Sequence, residues 1–233
     1  MKCVYTAVII AALACFACKG KKQDKPVDSN KVIARLPGID SISPRHVSPD
    51  TIYTLLGISS RMDTFKFDSY DPFLFLKTGQ LFTDSVKHAV LITCPSDSIY
   101  HLELFSLHNK KWFRKQEIDS LEAFPIQFDI RFVDFNFDGL KDVYIQYSAS
   151  NGYSLSRGHL FTMDPHTMRL VHHPEAGNLA NMSPDPETKT VNSEQVIECG
   201  KDQQTAICIL RNKWVTGKLT LAKKDCPCEQ EKH

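Results

Sequence analysis

The chain has 233 residues, of which 42% are hydrophobic and 24% are charged, and its formal net charge at pH 7 is +1. This hydrophobic content is ordinary for a globular protein. A nearly neutral chain without a patch of Lys and Arg interleaved with aromatic residues gives no argument for nucleic acid, so we expect none among its partners.

The N-terminus predicts export. Met1 and Lys2 precede an apolar run at residues 4–17, which is too short to span a bilayer comfortably and fits a secretory signal. Small residues before a cysteine indicate a bacterial lipoprotein signal over residues 1–17, with Cys18 as the lipidated residue and Cys15 as the alternative. An ordinary signal peptide or an uncleaved anchor stays open. The lipoprotein interpretation predicts a lipid-anchored protein of the bacterial cell envelope, at the outer membrane, with the membrane face open.

A flexible tether is predicted to follow the signal, over residues 18–49. This segment is polar, has little periodicity and contains Pro26, Pro37, Pro44 and Pro49. Residues 50–225 are then one domain, large enough for a substantial core, and residues 226–233 are a short tail.

Alternating apolar and polar residues predict many short strands in the domain. Helical periodicity is scarce, with short helices predicted at residues 51–59 and 120–123. This pattern predicts a mainly β fold of antiparallel strands and hairpins, arranged as a sandwich, a barrel or a propeller. The predicted strands cover residues 88–94, 99–107, 112–118, 126–133, 142–147, 159–163, 168–172, 190–198, 205–211 and 219–223.

Residues 134–142 read D-F-N-F-D-G-L-K-D and have the spacing of a calcium loop. Gly139 permits the sharp turn, and the carbonyl of Leu140 can supply a backbone ligand. Phe135 and Phe137 are expected to turn away from the metal into a core. Ca²⁺ is therefore the predicted cofactor, in a structural role. The predicted side-chain ligands are Asp134, Asn136, Asp138 and Asp142.

The loop departs from an EF-hand. Its twelfth position is Ile145 instead of glutamate, and strand-like sequence flanks it on both sides. We therefore predict a calcium loop between two β-strands. The alternative is a set of Asx turns, which need no metal.

A polar loop follows the strand that leaves the calcium loop. Residues 148–154 read S-A-S-N-G-Y-S. A metal-pinned loop with an aromatic residue at its tip suits recognition of a protein or a glycan. The predicted binding residues are Ser150, Asn151 and Tyr153, and the alternative is a solvated connection.

Besides Cys18, five cysteines follow the signal, in a compartment where disulfides form. Cys199 and Cys208 flank the turn-rich segment G-K-D-Q-Q between two apolar alternating segments, which predicts a disulfide between them. The pairing of Cys94, Cys226 and Cys228 stays open.

Four motifs carry a family resemblance. They are V-D-F-N-F-D-G-L-K-D from Val133, S-A-S-N-G-Y-S from Ser148, L-F-T-M-D-P-H-T-M-R-L-V from Leu160 and D-P-E-T-K-T from Asp185. Together they resemble a family of bacterial envelope proteins with a calcium loop in a β-propeller-like body, and the loop is similar to those of FG-GAP repeats in integrin-type propellers. Met168 stands where this family often has glycine, which implies a different turn type.

The resemblance implies a propeller-like or partial-propeller fold with calcium at the loop. Some members of the family are lysozyme inhibitors, which makes periplasmic lysozyme inhibition a candidate function. A further tripeptide, Asp followed by Ser or Thr and an apolar residue, resembles the O-glycosylation acceptor pattern of secreted bacterial proteins. The implied acceptors are Ser41, Thr51, Ser85, Ser98 and Ser120.

The sequence shows no recognisable catalytic motif: no nucleophile elbow, no H-E-x-x-H pair and no Gly-rich phosphate loop. His101 and Glu103 share a predicted strand face, and Glu103 with Asp119 is the carboxylate pair of a hydrolase interpretation. We predict a non-enzyme: a calcium-binding envelope lipoprotein that acts as a binding module for a protein or glycan. A glycan-acting hydrolase and a lysozyme inhibitor are the alternatives.

Overall fold

The computed structural model describes residues 46–149, 155–199 and 204–228. The predicted signal with Cys15 and Cys18, and the predicted tether up to residue 45, lie outside these ranges. So do the predicted binding residues Ser150, Asn151 and Tyr153.

The described residues form one α-helix and thirteen β-strands, with short 3₁₀ helices at Pro125–Gln127 and Pro174–Asn178. In chain order the elements are α1 (Pro49–Ser59), β1 (Phe65–Tyr70), β2 (Phe73–Gly79), β3 (His88–Ser96), β4 (Ile99–His108), β5 (Lys111–Glu122), β6 (Asp129–Val133), β7 (Asp142–Ala149), β8 (Ser156–Met163), β9 (Leu170–His173), β10 (Ala180–Asp185), β11 (Thr190–Cys199), β12 (Gln204–Val215) and β13 (Lys218–Asp225).

The strands form three antiparallel sheets, each a meander in which strands adjacent in sequence pair with each other. The first sheet contains β1 to β5, the second β6 to β9 and the third β10 to β13. The predicted mainly β, antiparallel class is confirmed. Within the described ranges the sheets close into neither a barrel nor a propeller ring.

Helix α1 covers one face of the first sheet. The Ser48 side chain accepts a hydrogen bond from the backbone N–H of Asp50 at 3.3 Å, and Pro49 fits the first helical position. The Trp112 indole N–H donates to the carbonyl of Leu56 at 2.8 Å and fixes the helix on the sheet. The core beneath the helix is formed by Leu56 with Leu74, Leu76, Ala89, Leu91 and Phe105.

The opposite face of the first sheet packs against the second sheet. Phe128, just before β6, contacts the rings of Phe73, Phe75 and Tyr100 at centroid distances of 5.1, 5.2 and 5.6 Å. This aromatic cluster joins the start of the second sheet to the first. Buried residues from both sheets complete the core, among them Val90, Ile92, Leu102, Val143, Ile145 and Phe161.

A separate core joins the second and third sheets. The Trp214 indole N–H donates to the carbonyl of Phe135 at 2.7 Å, and the Arg131 guanidinium donates to the carbonyl of Met182 at 3.0 Å. Since Phe135 belongs to the predicted calcium loop, this loop is anchored to the third sheet. The buried members of this core are Phe135, Tyr144, Leu160, Ala176, Met182 and Val191.

All ten predicted strands coincide with or overlap an observed strand, and the predicted helix at residues 51–59 lies within α1. The helix predicted at residues 120–123 is wrong. The β4–β5 ladder continues through this segment, with Tyr100 paired to Leu121 and Ile99 to Glu122. A β-bulge at Ser120, where φ is 63°, interrupts the alternation that would have marked a strand.

The two turns with the sequence D-P-x-T, at residues 164–168 and 185–189, share two hydrogen bonds to their aspartate. The carboxylate of Asp164 accepts hydrogen bonds from the next two backbone N–H groups after Pro165, and Asp185 does the same in the second copy. Both turns then end in a left-handed residue, Met168 at φ 52° and Lys189 at φ 49°. Met168 thus adopts a conformation that glycine favours, and the difference in turn type from the family stays a prediction.

The predicted disulfide between Cys199 and Cys208 is also wrong. In the β11–β12 ladder Cys199 lies opposite Gln204, whereas Cys208 lies opposite Gln195. Four residues of extended strand, about 13 Å, separate the two cysteines along the ladder, which exceeds the reach of a disulfide.

Both cysteines are instead bonded to the segment after β13. Cys199 pairs with Cys228 and Cys208 with Cys226, so the described part of the predicted tail is tied to the third sheet. Cys94 is the one free cysteine within the described ranges. No helix there is long and apolar enough to cross a membrane.

Candidate functional site

The predicted calcium loop closes the hairpin between β6 and β7. Val133 and Asp142, at its two ends, are a paired position of the ladder. Phe135 is fully buried and Phe137 packs in the same core, so the interleaved phenylalanines turn inward as the sequence predicts. The backbone is left-handed at Phe137, φ 63°, and at Gly139, φ 90°, where glycine carries no steric penalty.

The oxygen-bearing side chains of the loop bind its own backbone. The Asp134 carboxylate accepts hydrogen bonds from the backbone N–H groups of Phe137 at 2.6 Å and Gly139 at 2.9 Å. The Asn136 amide donates to the Asp138 carboxylate at 2.8 Å. These contacts fix the turn and match the Asx-turn alternative as well as the metal interpretation.

Asp142 is the fully buried carboxylate of the loop. One oxygen accepts hydrogen bonds from the backbone N–H groups of Phe135 at 2.7 Å and Asn136 at 3.2 Å. The other accepts from the N–H of Met163 in β8 at 2.9 Å. Asp142 therefore joins the loop to the second sheet.

Ionisation of Asp142 is unfavourable in the folded protein. Burial raises the pKa of this carboxyl to about 7, opposed by the backbone N–H donors and assisted by the charges of Asp138 and Asp134. A bound cation would offset this cost, because it favours the ionised carboxylate.

The loop has the residue types that bind calcium. Its three aspartate side chains, however, do not lie close enough together to share one ion, and would have to move closer to bind it. Ligand oxygens of one calcium ion, each about 2.4 Å from it, lie within about 4.8 Å of one another. Within the described ranges, the group of His, Asp or Glu side chains that meets a 4.8 Å spacing is His101, Glu117 and Asp119, and the loop aspartates are not in it.

This second group, the charged cluster, lies on β4 and β5. His101 contacts Asp119 through Nδ1, and its Nε2 lies 3.6 Å from Glu117 and 3.9 Å from Glu103. The cluster shares the sheet face with helix α1, since its β4 members alternate with the buried residues of the opposite face. The bulge beside Asp119 places that carboxylate opposite His101.

Arg114 also belongs to the charged cluster and forms ion pairs with two of its carboxylates. Its guanidinium lies 2.8 Å from both Glu103 and Glu117. An imidazole with two carboxylates could ligate a transition metal, but Arg114 already neutralises two of the acids. In the hydrolase alternative, Glu103 is bound to Arg114 and Asp119 to His101, so each carboxylate already has a partner.

Sequence reasoning placed His101 and Glu103 on one face and missed Arg114 and Glu117. The register pairs Glu103 with Glu117, which no sequence pattern specifies. The charged residues of K-W-F-R-K-Q-E-I-D, residues 111–119, were the sequence feature that could have indicated them.

The implied O-glycosylation acceptors are accessible where the structure describes them. Thr51, Ser85, Ser98 and Ser120 are all exposed, and Ser41 lies outside the described ranges.

The comparisons with known proteins give no assignment. No family model matches the chain, and no curated protein matches it. The function is therefore inferred from the residues and their arrangement.

Proposed function

We propose that the protein is a calcium-binding lipoprotein of the bacterial cell envelope that acts as a non-catalytic binding module for a protein or a glycan. The signal pattern ending at Cys18, or at Cys15, supports the lipid anchor. We also propose a partial-propeller fold. Three meanders that follow one another in chain order support it, because successive propeller blades are such meanders.

The observation that carries the calcium proposal is Asp142. A fully buried carboxylate, with a pKa raised to about 7, ends a loop that presents three further oxygen-bearing side chains. Calcium would stabilise the ionised loop of the β6–β7 hairpin, which contacts the third sheet through Phe135 and Trp214.

The predicted calcium loop and the predicted binding residues lie on either side of β7 in the sequence. Asp142 begins β7 and Ala149 ends it, about 23 Å further along the strand. Calcium would stabilise the sheet to which β7 belongs.

Calorimetric titration of the purified full chain with CaCl₂ tests the metal proposal. We expect one site that is lost in Asp138→Ala and kept in Asp185→Ala, a matched control in which another turn-forming aspartate is removed. Absence of calcium binding by the unaltered chain, or equal binding by Asp138→Ala, would contradict the proposal.

Capture experiments test the binding module. The immobilised chain, loaded with calcium, is expected to retain a lysozyme or a peptidoglycan fragment, and Tyr153→Ala is expected to lose it. Retention of a lysozyme with inhibition of its activity would select the inhibitor alternative. Hydrolysis of the peptidoglycan fragment, abolished in Asp119→Asn, would instead select the hydrolase alternative.

A further inference from the structure

An open groove runs between the first and second sheets, beside their edge strands β1 and β6. On the face toward the second sheet, β2 supplies aromatic residues to the core, whereas β1 supplies polar residues. The sheets therefore separate at β1 instead of packing. The residues paired across this face are Lys66 with Lys77, Asp68 with Phe75 and Tyr70 with Phe73.

The groove consists of two adjoining cavities of about 410 and 420 Å³ that share Lys66 and Lys77. Phenylalanine rings line both cavities, with Phe75 and Phe128 in the first and Phe132 in the second. Polar and charged residues share this lining with the rings, so a ligand in the groove would meet both apolar faces and hydrogen-bonding groups.

Three lysines converge on the second cavity, and no described carboxylate lines it. Lys66, Lys77 and Lys141 all contribute to its wall. Lys66 is paired with Asp68 at 2.7 Å, whereas Lys77 and Lys141 form no ion pair with any described residue. The Lys77 ammonium instead lies 4.6 Å from the centroid of the Phe132 ring.

The lysines repel one another at this end of the groove. Burial and then the charges of Lys66 and Lys141 lower the pKa of Lys77. A negatively charged group placed among the three ammonium groups would relieve that repulsion, so the charge of the second cavity is complementary to an anion.

The first cavity has a different polar lining. Asp68, Ser69, Tyr70 and Asp129 line it together with the phenylalanine rings, and Asp68 and Tyr70 are paired with Phe75 and Phe73 in the β1–β2 ladder. Carboxylates and hydroxyls accept and donate hydrogen bonds to sugar hydroxyls, and the two carboxylates would repel a uniformly acidic peptide. The two ends of the groove thus suit a ligand with an acidic group at one end and hydroxyls at the other.

We propose that this groove binds an acidic oligosaccharide. Its carboxylate lies among Lys66, Lys77 and Lys141, its apolar ring faces lie against the phenylalanines, and its hydroxyls bond to Asp68 and Asp129. The proposal goes beyond the binding-module function by adding a second candidate binding site. The described lining of the groove includes none of the predicted binding residues Ser150, Asn151 and Tyr153 and none of the predicted calcium ligands.

Calorimetry on the full chain tests the proposal with paired probes. Sialyllactose is compared with lactose and cellobiouronic acid with cellobiose, because each acidic probe carries one carboxylate at one end, and pentaglutamate serves as the acidic peptide. We expect at least one acidic sugar to bind at least tenfold more tightly than its neutral partner. We also expect the affinity to fall as the NaCl concentration rises.

Lys77→Gln should weaken this binding at least tenfold, whereas Lys213→Gln, the same change at an exposed position of the third sheet, should leave it unaltered. The melting temperature of each variant shows whether it is folded. If Lys77→Gln does not fold, Lys66→Gln, on the exposed edge strand, replaces it and is expected to weaken binding in the same direction.

Binding of neither acidic sugar, or equal binding of acidic sugar and neutral partner, would overturn the proposal. Pentaglutamate binding as tight as that of the acidic sugars would reassign the groove to acidic peptides. Calcium titration of the same samples separates the two proposals. Calcium binding without sugar binding removes only the groove, and sugar binding without calcium binding removes only the metal site.

Discussion

At the scale of single residues, burial of an ionisable side chain makes the stability of this domain depend on pH. His88, at the start of β3, is 1% exposed, and its Nδ1 has no hydrogen-bond partner in the described structure. Its ring meets that of Phe82 edge-on at 5.2 Å. Burial lowers the pKa of His88 to about 4, so the folded domain holds it neutral.

We predict that acid destabilises the domain through His88. The unfolded chain binds a proton near pH 6.5 and the folded chain only near pH 4, so the stabilisation is complete above pH 6.5 and is lost as the pH falls toward 4. Between pH 7 and pH 5 this contribution amounts to about 2 kcal/mol. Protonation of Asp142, whose pKa is raised to about 7, acts in the opposite direction over the same range. The contribution of His88 is therefore measured as the difference between the unaltered chain and His88→Phe in urea unfolding at the two pH values.

When the pH falls from 7 to 5, the change in unfolding free energy of His88→Phe should be about 2 kcal/mol more favourable than that of the unaltered chain, and His166→Phe, at an exposed turn position, should change as the unaltered chain does. An equal change in His88→Phe and the unaltered chain would contradict the prediction.

A second residue-scale prediction concerns the two D-P-x-T turns. Lys189 is exposed and holds φ 49°, a conformation that costs about 1–2 kcal/mol for a residue other than glycine. Lys189→Gly should raise the unfolding free energy by about 0.5 kcal/mol after the entropy of the unfolded glycine is subtracted. Chemical denaturation measures this change.

Met168→Gly is the matched comparison, because Met168 has the same φ but packs against the core between the first and second sheets. We expect no gain there, since the lost packing offsets the relieved strain. A loss of stability in Lys189→Gly would contradict this account.

At the scale of elements, the pattern of alternating residues predicted the central strands but left three unpredicted. β10 has few apolar residues and contains Pro184, and β2 begins with the continuous apolar run F-L-F-L. In these two strands the cause is their position in the sheet, which local periodicity does not encode. β1 alternates at F-K-F-D, so its periodicity was a signal that the prediction missed.

The candidate site, like the strands, was only partly predictable from the sequence. Spacing alone identified the residues of the 134–142 loop and the inward direction of Phe135 and Phe137. One partner of Asp142, the backbone N–H of Met163, comes from β8, and the anchor at Trp214 comes from β12, both distant in sequence. The charged cluster and the disulfides likewise depend on register and on the path of the chain after β13.

The disulfides give an element-scale prediction. Peptide mapping under non-reducing conditions should recover Cys199 with Cys228 and Cys208 with Cys226. Replacing Cys208 and Cys226 by serine opens a loop with a sequence separation of 18 and should cost about 3 kcal/mol of unfolding free energy.

Cys94→Ser serves as the control, because this cysteine is free and its removal breaks no cross-link. Recovery of a Cys199–Cys208 peptide, or an equal cost in Cys94→Ser and the double serine variant, would contradict the observed pairing.

At the scale of the whole domain, two cores join three sheets, and the 134–142 loop lies where the second core joins the third sheet to the second. Phe135 is part of that core, and its carbonyl binds Trp214. A ligand that stabilises the loop therefore stabilises the contact between two sheets. The effect of calcium should appear in global unfolding and not only near the loop.

Thermal unfolding of the full chain in excess calcium and in EDTA tests this central claim most directly, with Asp138→Ala and the control Asp185→Ala measured beside it. Calcium at 100 times its dissociation constant should stabilise the native state by about 2.7 kcal/mol, which raises the melting temperature by roughly 5–10 °C. We predict this rise in the unaltered chain and in Asp185→Ala, and its absence in Asp138→Ala. An unchanged melting temperature in all three proteins would show that residues 134–142 form a hydrogen-bonded turn and not a calcium site.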